Sequence, residues 1–238
     1  MSGSLLTVSD LDAGYGRVQV LHELSIEAGR FGNVGLFGPN GHGKTTLLRV
    51  ISRLLRATSG AVTFDGADIS AETPRSIVER GLVHVPQGNR LFPDLTVGEC
   101  LTLGAYTPKA RAKEAENRER VLKIFPKIGE RWRQRVRTLS GGERQMTSIG
   151  VSLMSHPRLL ILDEPTLGLA PKIKDELCVA ILDISKGGVP LIVVEQDIEF
   201  LLELAQHLYL INHGRVAAEI KPGQTMDHRE IMAMYFGS

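Results

Sequence analysis

Residues 38–45 read GPNGHGKT. Gly38, Gly43, Lys44 and Thr45 occupy the fixed places of G-x-x-x-x-G-K-[ST]; Pro39, Asn40, Gly41 and His42 lie between them and Thr46 follows. A loop of this kind cradles the phosphates of a nucleotide. Its backbone N–H groups point inward, a helix N-terminus lies behind them, and glycine stands where a Cβ would block close approach. Lys44 would reach the β and γ phosphates, and the Thr45 hydroxyl would bind Mg²⁺. The bland alternative is a Gly-rich strand-to-helix turn. His42 reads as a loop filler, with a weak nucleotide contact as its alternative.

Phosphate chemistry also needs a carboxylate for the metal. LLILDEP (159–165) supplies an apolar strand that ends in Asp163, a candidate Mg²⁺ residue acting mainly through water, since Mg²⁺ keeps much of its hydration. Glu164, one residue on, could orient or deprotonate the water that attacks the γ-phosphate. A third stretch, LSGGERQ (139–145), opens a helix. Ser140 caps it, and Glu143 stands three residues later, as in a capping box. A capped helix does not need Gly141 and Gly142, each of which costs about 1 kcal/mol in a helix interior. The functional reading is a second anion site, able to grip a γ-phosphate.

The elements that would carry these residues can be read from periodicity. LLTVSDLDAGYG and VLHELSIEAG are strands joined by a Gly-containing turn. NVGLF (33–37) is a short buried strand running into the Gly-rich loop, and KTTLLRVISRLL (44–55) has helical spacing through Leu47, Leu48, Ile51 and Leu55. SGAVTFDG is another strand, TPRSIVERG a short helix, and LVHVPQ (82–87) a strand ending at Gln87. From about Thr96 to Arg137 the chain turns charged and helical, with Val121, Ile124, Phe125 and Ile128 on one face. Strand–helix alternation then resumes through LLILDEP, a helix from Pro171, PLIVVEQ (190–196), another helix and HLYLINHGRVAAEI. This order implies a mostly parallel sheet covered on both faces.

With these stretches in order, the chain resembles the ATP-binding subunits of ABC transporters, from about Leu6 to Gly237. The matching pieces are the Gly-rich loop, VPQG with Gln87, LSGGERQ, LLILDEP and TLGLAP. The resemblance implies an α/β fold: a P-loop NTPase core with a mixed, mostly parallel sheet, an N-terminal antiparallel β subdomain and an inserted helical subdomain. The whole chain, 1–238, would be one ATP-binding domain, with the β/core part near 1–95 and 156–238 and the helical part near 96–155. In this family the signature helix of one subunit completes the ATP site of another. ATP and Mg²⁺ are thus the implied cofactors, and a second ABC subunit, related or identical, is the implied sandwich partner. Two membrane permeases and an extracytoplasmic solute-binding protein are the further partners. Tyr15 matches the aromatic residue that stacks on adenine, a plain turn tyrosine being its alternative. Gln87 matches the glutamine that senses Mg²⁺ and the attacking water.

Two departures stand out. Gln196 occupies the place of the family's usual switch histidine; glutamine can hydrogen-bond a γ-phosphate but cannot carry the imidazolium charge. Ala170 stands where an Asp often ends the loop after the catalytic acid. Both features, with TLGLAP and VEQ, are similar to the subgroup serving branched-chain amino-acid importers and the related urea and amide importers. The resemblance therefore implies ATP hydrolysis powering such an importer, at the cytoplasmic face of the cell membrane. Rival readings are the ATPase of a lipid or drug exporter and a non-transport ABC ATPase. DNA-repair members carry long coiled coils, and no sustained heptads separate Thr45 from Leu139. Ribosome-associated members carry two cassettes, and one is seen here.

Composition agrees with an ordinary globular chain: 238 residues, 42% hydrophobic, 23% charged, net charge +1. That balance gives no reason to expect nucleic acid or an anionic membrane surface as a partner. Residues 109–137 hold eleven Lys or Arg, but four Glu are interleaved and aromatic residues are scarce, so a solvated helical face is favoured over a nucleic-acid patch. Cys100 and Cys178 match no zinc or CxxC spacing. The start MSGSLLTVSD has no basic n-region or apolar h-region, and LLIL and LIVV are too short to span a bilayer.

Overall fold

The structure is a computed structural model that describes residues 3–29 and 32–223; the end of the family resemblance, beyond Gly223, lies outside the described residues. In chain order the elements are β1 (Ser4–Tyr15), β2 (Val18–Gly29), β3 (Val34–Phe37), α1 (Lys44–Ile51), β4 (Ser59–Phe64), β5 (Ala67–Asp68), α2 (Pro74–Arg80), β6 (Leu82–Val85), α3 (Val97–Gly104), α4 (Pro108–Ala112), α5 (Glu114–Ile124), α6 (Pro126–Glu130), α7 (Gly141–Met154), β7 (Leu159–Asp163), α8 (Pro171–Lys186), β8 (Leu191–Val194), α9 (Ile198–Leu204), β9 (His207–Asn212) and β10 (Arg215–Ile220). They fall into two compact units, one of residues 1–74 with 190–238 and one of residues 75–189.

The first unit holds an antiparallel sheet in the order β2-β1-β4-β5. Alternation sets one face of this sheet inward: Leu6 and Val8 of β1 and Leu24 and Ile26 of β2 are buried, and an irregularity after Val8 buries Leu11 as well. The same unit carries the strand order β10-β9-β3-β8, in which β3 runs parallel to both β8 and β9, and β10 returns antiparallel to β9. VGLF and LIVV are buried at every position, as central parallel strands must be. HLYLINHGRVAAEI is therefore a hairpin, with His213 at its turn at φ 45°. α1 ends at Ile51, short of the expected Leu55, and the chain leaves the helix through Arg53 at φ 57°.

The second unit pairs β6 and β7 in parallel, with Val83 opposite Leu160. β6 ends at Val85, so Gln87 stands beyond the strand and is exposed. The charged stretch is three short helices where one continuous face was expected. Thr107 caps α4 by accepting from the Ala110 N–H, and the Phe125–Pro126 step separates α5 from α6. Proline disfavours helical φ/ψ at the residue before it, and Phe125 sits at φ −122°, ψ 70°. Val121, Phe125 and Ile128 are still buried, so the apolar face persists across the break. It reaches α7 at Gly150, where a Cβ would stand 3.1–3.2 Å from Val121, Ile128 and Leu101. Several of the basic side chains here pair with acids: Arg118 with Glu114, Lys113 with Glu116, Lys127 with Glu176 and Arg137 with Asp94.

Candidate functional site

In the first unit, β3 delivers the chain directly into the loop 38–45. Gly38 has φ 140°, and a Cβ there would lie 2.0 Å from the Ile211 carbonyl oxygen. Gly43, at φ 104°, is the N-cap of α1 and offers no side-chain cap to that helix. These two positions admit only glycine, one for space and both for conformation. The first N–H groups of α1 are consequently left to whatever the loop holds, which suits an anion.

Lys44 is 4% exposed. Its Nζ donates to the Gly38 carbonyl at 2.6 Å and the Pro39 carbonyl at 2.9 Å, which folds the ammonium back over the loop. A charge so placed faces the same concavity as the α1 N-terminus and would meet phosphate oxygens there. Thr45 is half-buried, Thr46 is buried, and Asn40 and Gly41 are exposed at the loop tip. Tyr15, at the end of β1, is half-exposed, and its hydroxyl accepts from Arg49 Nη1 of α1 at 3.0 Å. The ring keeps open surface on the unit that carries the loop. Gln196 is exposed two residues beyond β8. Because β8 runs parallel to β3, Gln196 leaves the sheet at the strand ends from which the phosphate loop also departs.

His42 does more than fill the loop. Its Nδ1 lies 2.6 Å from Asn212 Oδ1 and faces the His213 N–H at 3.1 Å. The hairpin turn and the phosphate loop are thereby joined.

In the second unit, Asp163 ends β7 and is 3% exposed. Glu164 follows with φ 46°, a left-handed conformation that non-glycine residues seldom adopt and that clusters at functional sites. That turn carries its side chain off the strand line, where Oε2 accepts from Gln87 Nε2 at 2.7 Å. Gln87 and Glu164 are thus brought together, though they stand 77 residues apart. The oxygens of Asp163 and Gln87, like the Thr45 hydroxyl of the first unit, are hard donors of the kind Mg²⁺ takes.

LSGGERQ forms the capping box its spacing predicts. Ser140 Oγ accepts from the Glu143 N–H at 3.2 Å, and Glu143 Oε2 accepts from the Ser140 N–H at 2.8 Å. The other carboxylate oxygen of Glu143 pairs with Arg131 Nε at 3.1 Å. The Ser140 amide, followed by Arg131, holds the Glu143 carboxyl below its ordinary range. The two glycines differ. A Cβ on Gly142 would stand 2.6 Å from Ile173 Cγ2 of α8, so packing alone explains this residue. A Cβ on Gly141 would make only an ordinary contact, 3.8 Å from Leu169, so packing does not explain that one. Arg131 lay unnoticed in a run of arginines; only its meeting with Glu143 singles it out.

The family model described as ABC transporter matches residues 21–167. The chain is 35% identical over 233 residues to the high-affinity branched-chain amino acid transport ATP-binding protein BraG of Pseudomonas aeruginosa, covering 98% of this chain and 100% of that one. It is 32% identical over 235 residues to the probable branched-chain amino acid transport ATP-binding protein LivF of Archaeoglobus fulgidus, covering 98% and 99%. A crystal structure of a nucleotide-free ATP-binding cassette from an ABC transporter matches with TM-score 0.83 and 26% identity, covering 99% of this chain and 96% of that one.

Proposed function

Because the chain belongs to the ABC transporter family of ATP-binding subunits, which hydrolyse ATP to power transport, we propose that it energises an importer of branched-chain amino acids or of a related small solute such as urea or a short amide. The observation that carries this reading is the end-to-end similarity to a subunit named for branched-chain amino acid transport. Gln196 and Ala170, in the VEQ and TLGLAP stretches, add to it. The test is uptake by the source cell. Deleting this gene should abolish high-affinity uptake of labelled leucine, urea or a short amide. Unchanged uptake of all three would end the importer reading and leave the exporter alternative.

In the proposed cycle, Lys44 and the α1 N-terminus offset the phosphate charge, while Tyr15 stacks on adenine. Thr45, Asp163 and Gln87 are proposed as the protein's oxygen donors toward Mg²⁺, which would polarise the phosphoryl group when bound. Glu164, steadied by Gln87, orients the attacking water. Ser140, Gly141, Gly142 and Glu143 face the γ-phosphate held by a second subunit, related or identical, so that ATP closes a two-chain sandwich.

Among the described residues no helix is long and apolar enough to cross a membrane. We place the chain peripherally, at the cytoplasmic face, on two permease subunits fed by an extracytoplasmic solute-binding protein. Apolar surface beyond Gln87 supports a permease contact. A cavity of about 250 Å³ lies beside Val83, Leu91, Cys100 and Val151, rimmed by Phe92, Leu103 and Tyr106. Phe92 is 63% exposed, and Leu103 and Tyr106 are half-exposed. The volume is below the ~300–1,000 Å³ usual for small-molecule pockets, and suits one or two side chains of a protein partner.

The proposed place of Gln196 at the γ-phosphate predicts that Gln196→His, which can bring an imidazolium charge there, will raise ATP hydrolysis, measured as phosphate release at saturating ATP. A rate indistinguishable from the parent would make Gln196 a spectator.

A further inference from the structure

We infer that His42 is a positioning residue, whose imidazole locks the phosphate loop onto the β9–β10 turn so that nucleotide affinity depends on the lock. The inference rests on the nucleotide-binding reading of the loop and goes beyond it, since nothing in the motif assigns a role to this position.

The loop needs a restraint of its own. His42 lies between Gly41 at φ 80° and Gly43 at φ 104°, and glycines lose more conformational freedom on ordering than any other residue. A phosphate cradle binds well only if its N–H groups already point inward, because any ordering left to the binding step weakens affinity.

The β9–β10 turn supplies that restraint. Its Gly214 N–H donates to the His42 carbonyl at 3.0 Å. The His42 and His213 rings lie 4.4 Å apart, tilted by 32°. A Cβ on Gly38 would meet the Ile211 carbonyl oxygen of β9 at 2.0 Å, and one on Gly43 would lie 3.5 Å from the Gly214 Cα of the turn, so both ends of the loop run close to the β9–β10 hairpin. The turn is itself anchored. The His22 N–H of β2 donates to the Gly214 carbonyl at 3.0 Å, and Gly214 approaches the Val20 carbonyl too closely to admit a Cβ. A firm platform thus stands behind a glycine-rich loop, and His42 sends its side chain into it.

That side chain has two ties at one atom. Nδ1 with its proton donates to Asn212 Oδ1, 2.6 Å away; bare Nδ1 accepts from the His213 N–H, 3.1 Å away. One nitrogen cannot do both at once, but either tautomer keeps the loop on the turn. The requirement is a polar atom at the place of Nδ1. An asparagine amide reaches that place, whereas a glutamine amide reaches the place of Nε2.

The test is MgADP affinity of the purified chain by calorimetric titration, with the diphosphate chosen so that subunit closure plays no part. His42→Ala should weaken MgADP binding by about tenfold, the equivalent of one good hydrogen bond, and Asn212→Ala by less, since bare Nδ1 can still accept from the His213 N–H. The double variant should be no weaker than His42→Ala alone, since that change already removes both ties. His42→Asn should recover affinity to within about twofold, while His42→Gln stays weak. In steady state the loss should fall on KM for ATP and leave kcat in place. Parental affinity in His42→Ala would overturn the inference, as would fully additive losses or a loss that tracks a lowered melting temperature of the nucleotide-free chain. Failure of the unaltered chain to bind MgADP would overturn the nucleotide reading itself, and this inference with it.

Discussion

Glu164→Gln should bind ATP as tightly as the parent chain, hydrolyse it more slowly by about two to four orders of magnitude, and accumulate as an ATP-bound dimer. The size follows from what a positioned carboxylate contributes when it takes up a proton from attacking water, about 10²–10⁴-fold. The geometry explains why binding should survive. A glutamine side chain has the shape of glutamate, and its amide oxygen can still accept from Gln87 Nε2 across the 2.7 Å now spanned by Oε2. The left-handed backbone at Glu164, φ 46°, is imposed by the turn after β7 and is no harder for glutamine than for glutamate. What the substitution removes is a negative charge and a base. Removing the charge also relieves repulsion with a triphosphate, which favours the closed pair. Phosphate release and size-exclusion chromatography in MgATP read the two effects separately. Turnover within a fewfold of the parent would strip Glu164 of its role; slow turnover with no dimer would leave the carboxylate its role but count against the sandwich.

Which parts of this site could be read from the sequence depends on how local their causes are. The phosphate loop was legible because its constraints are local: Gly38 and Gly43 sit at φ values only glycine accepts freely, and a short apolar strand enters while an amphipathic helix leaves. The capping box of α7 was legible for the same reason, since Ser140 and Glu143 satisfy each other within three residues. β3, β7 and β8 announced themselves as unbroken apolar runs. Contacts between residues far apart in the chain could not be read. The Gln87–Glu164 hydrogen bond joins residues 77 apart, and the His42–Asn212 contact joins residues 170 apart. Gln87 and Glu164 each carried a functional reading alone and His42 read as a loop filler, but nothing in their spacing pointed to either contact. The packing reason for Gly142 was equally hidden, because it lies in Ile173 of another helix. Where periodicity misled, proline was responsible: the apolar face through Val121, Phe125 and Ile128 exists, but Pro126 divides the helix that carries it.

Ser140→Arg should leave MgADP affinity of the isolated subunit unchanged, abolish ATP-driven pairing, and lower steady-state hydrolysis at least as far as loss of the dimer dictates. Ser140 is exposed at the start of α7, so a large side chain there meets solvent in the single subunit. The substitution removes the Ser140 Oγ cap on the Glu143 N–H, a loss of about 1 kcal/mol. α7 should tolerate that, because Met146, Ile149, Leu153 and Met154 bury its inner face. The guanidinium is positive and would attract phosphate, so charge alone predicts tighter pairing. The prediction of weaker pairing rests on volume: the side chain fills the space that the γ-phosphate of the facing subunit must enter. Ser140→Ala provides the contrast, since it also loses the cap but adds no bulk, and it should pair with only modest weakening. If Ser140→Arg instead destroys MgADP binding by the isolated chain, the signature helix serves its own subunit's nucleotide and the two-chain sandwich is wrong. If Arg and Ala behave alike, the capping bond alone was at stake, and the helix start has no phosphate to grip.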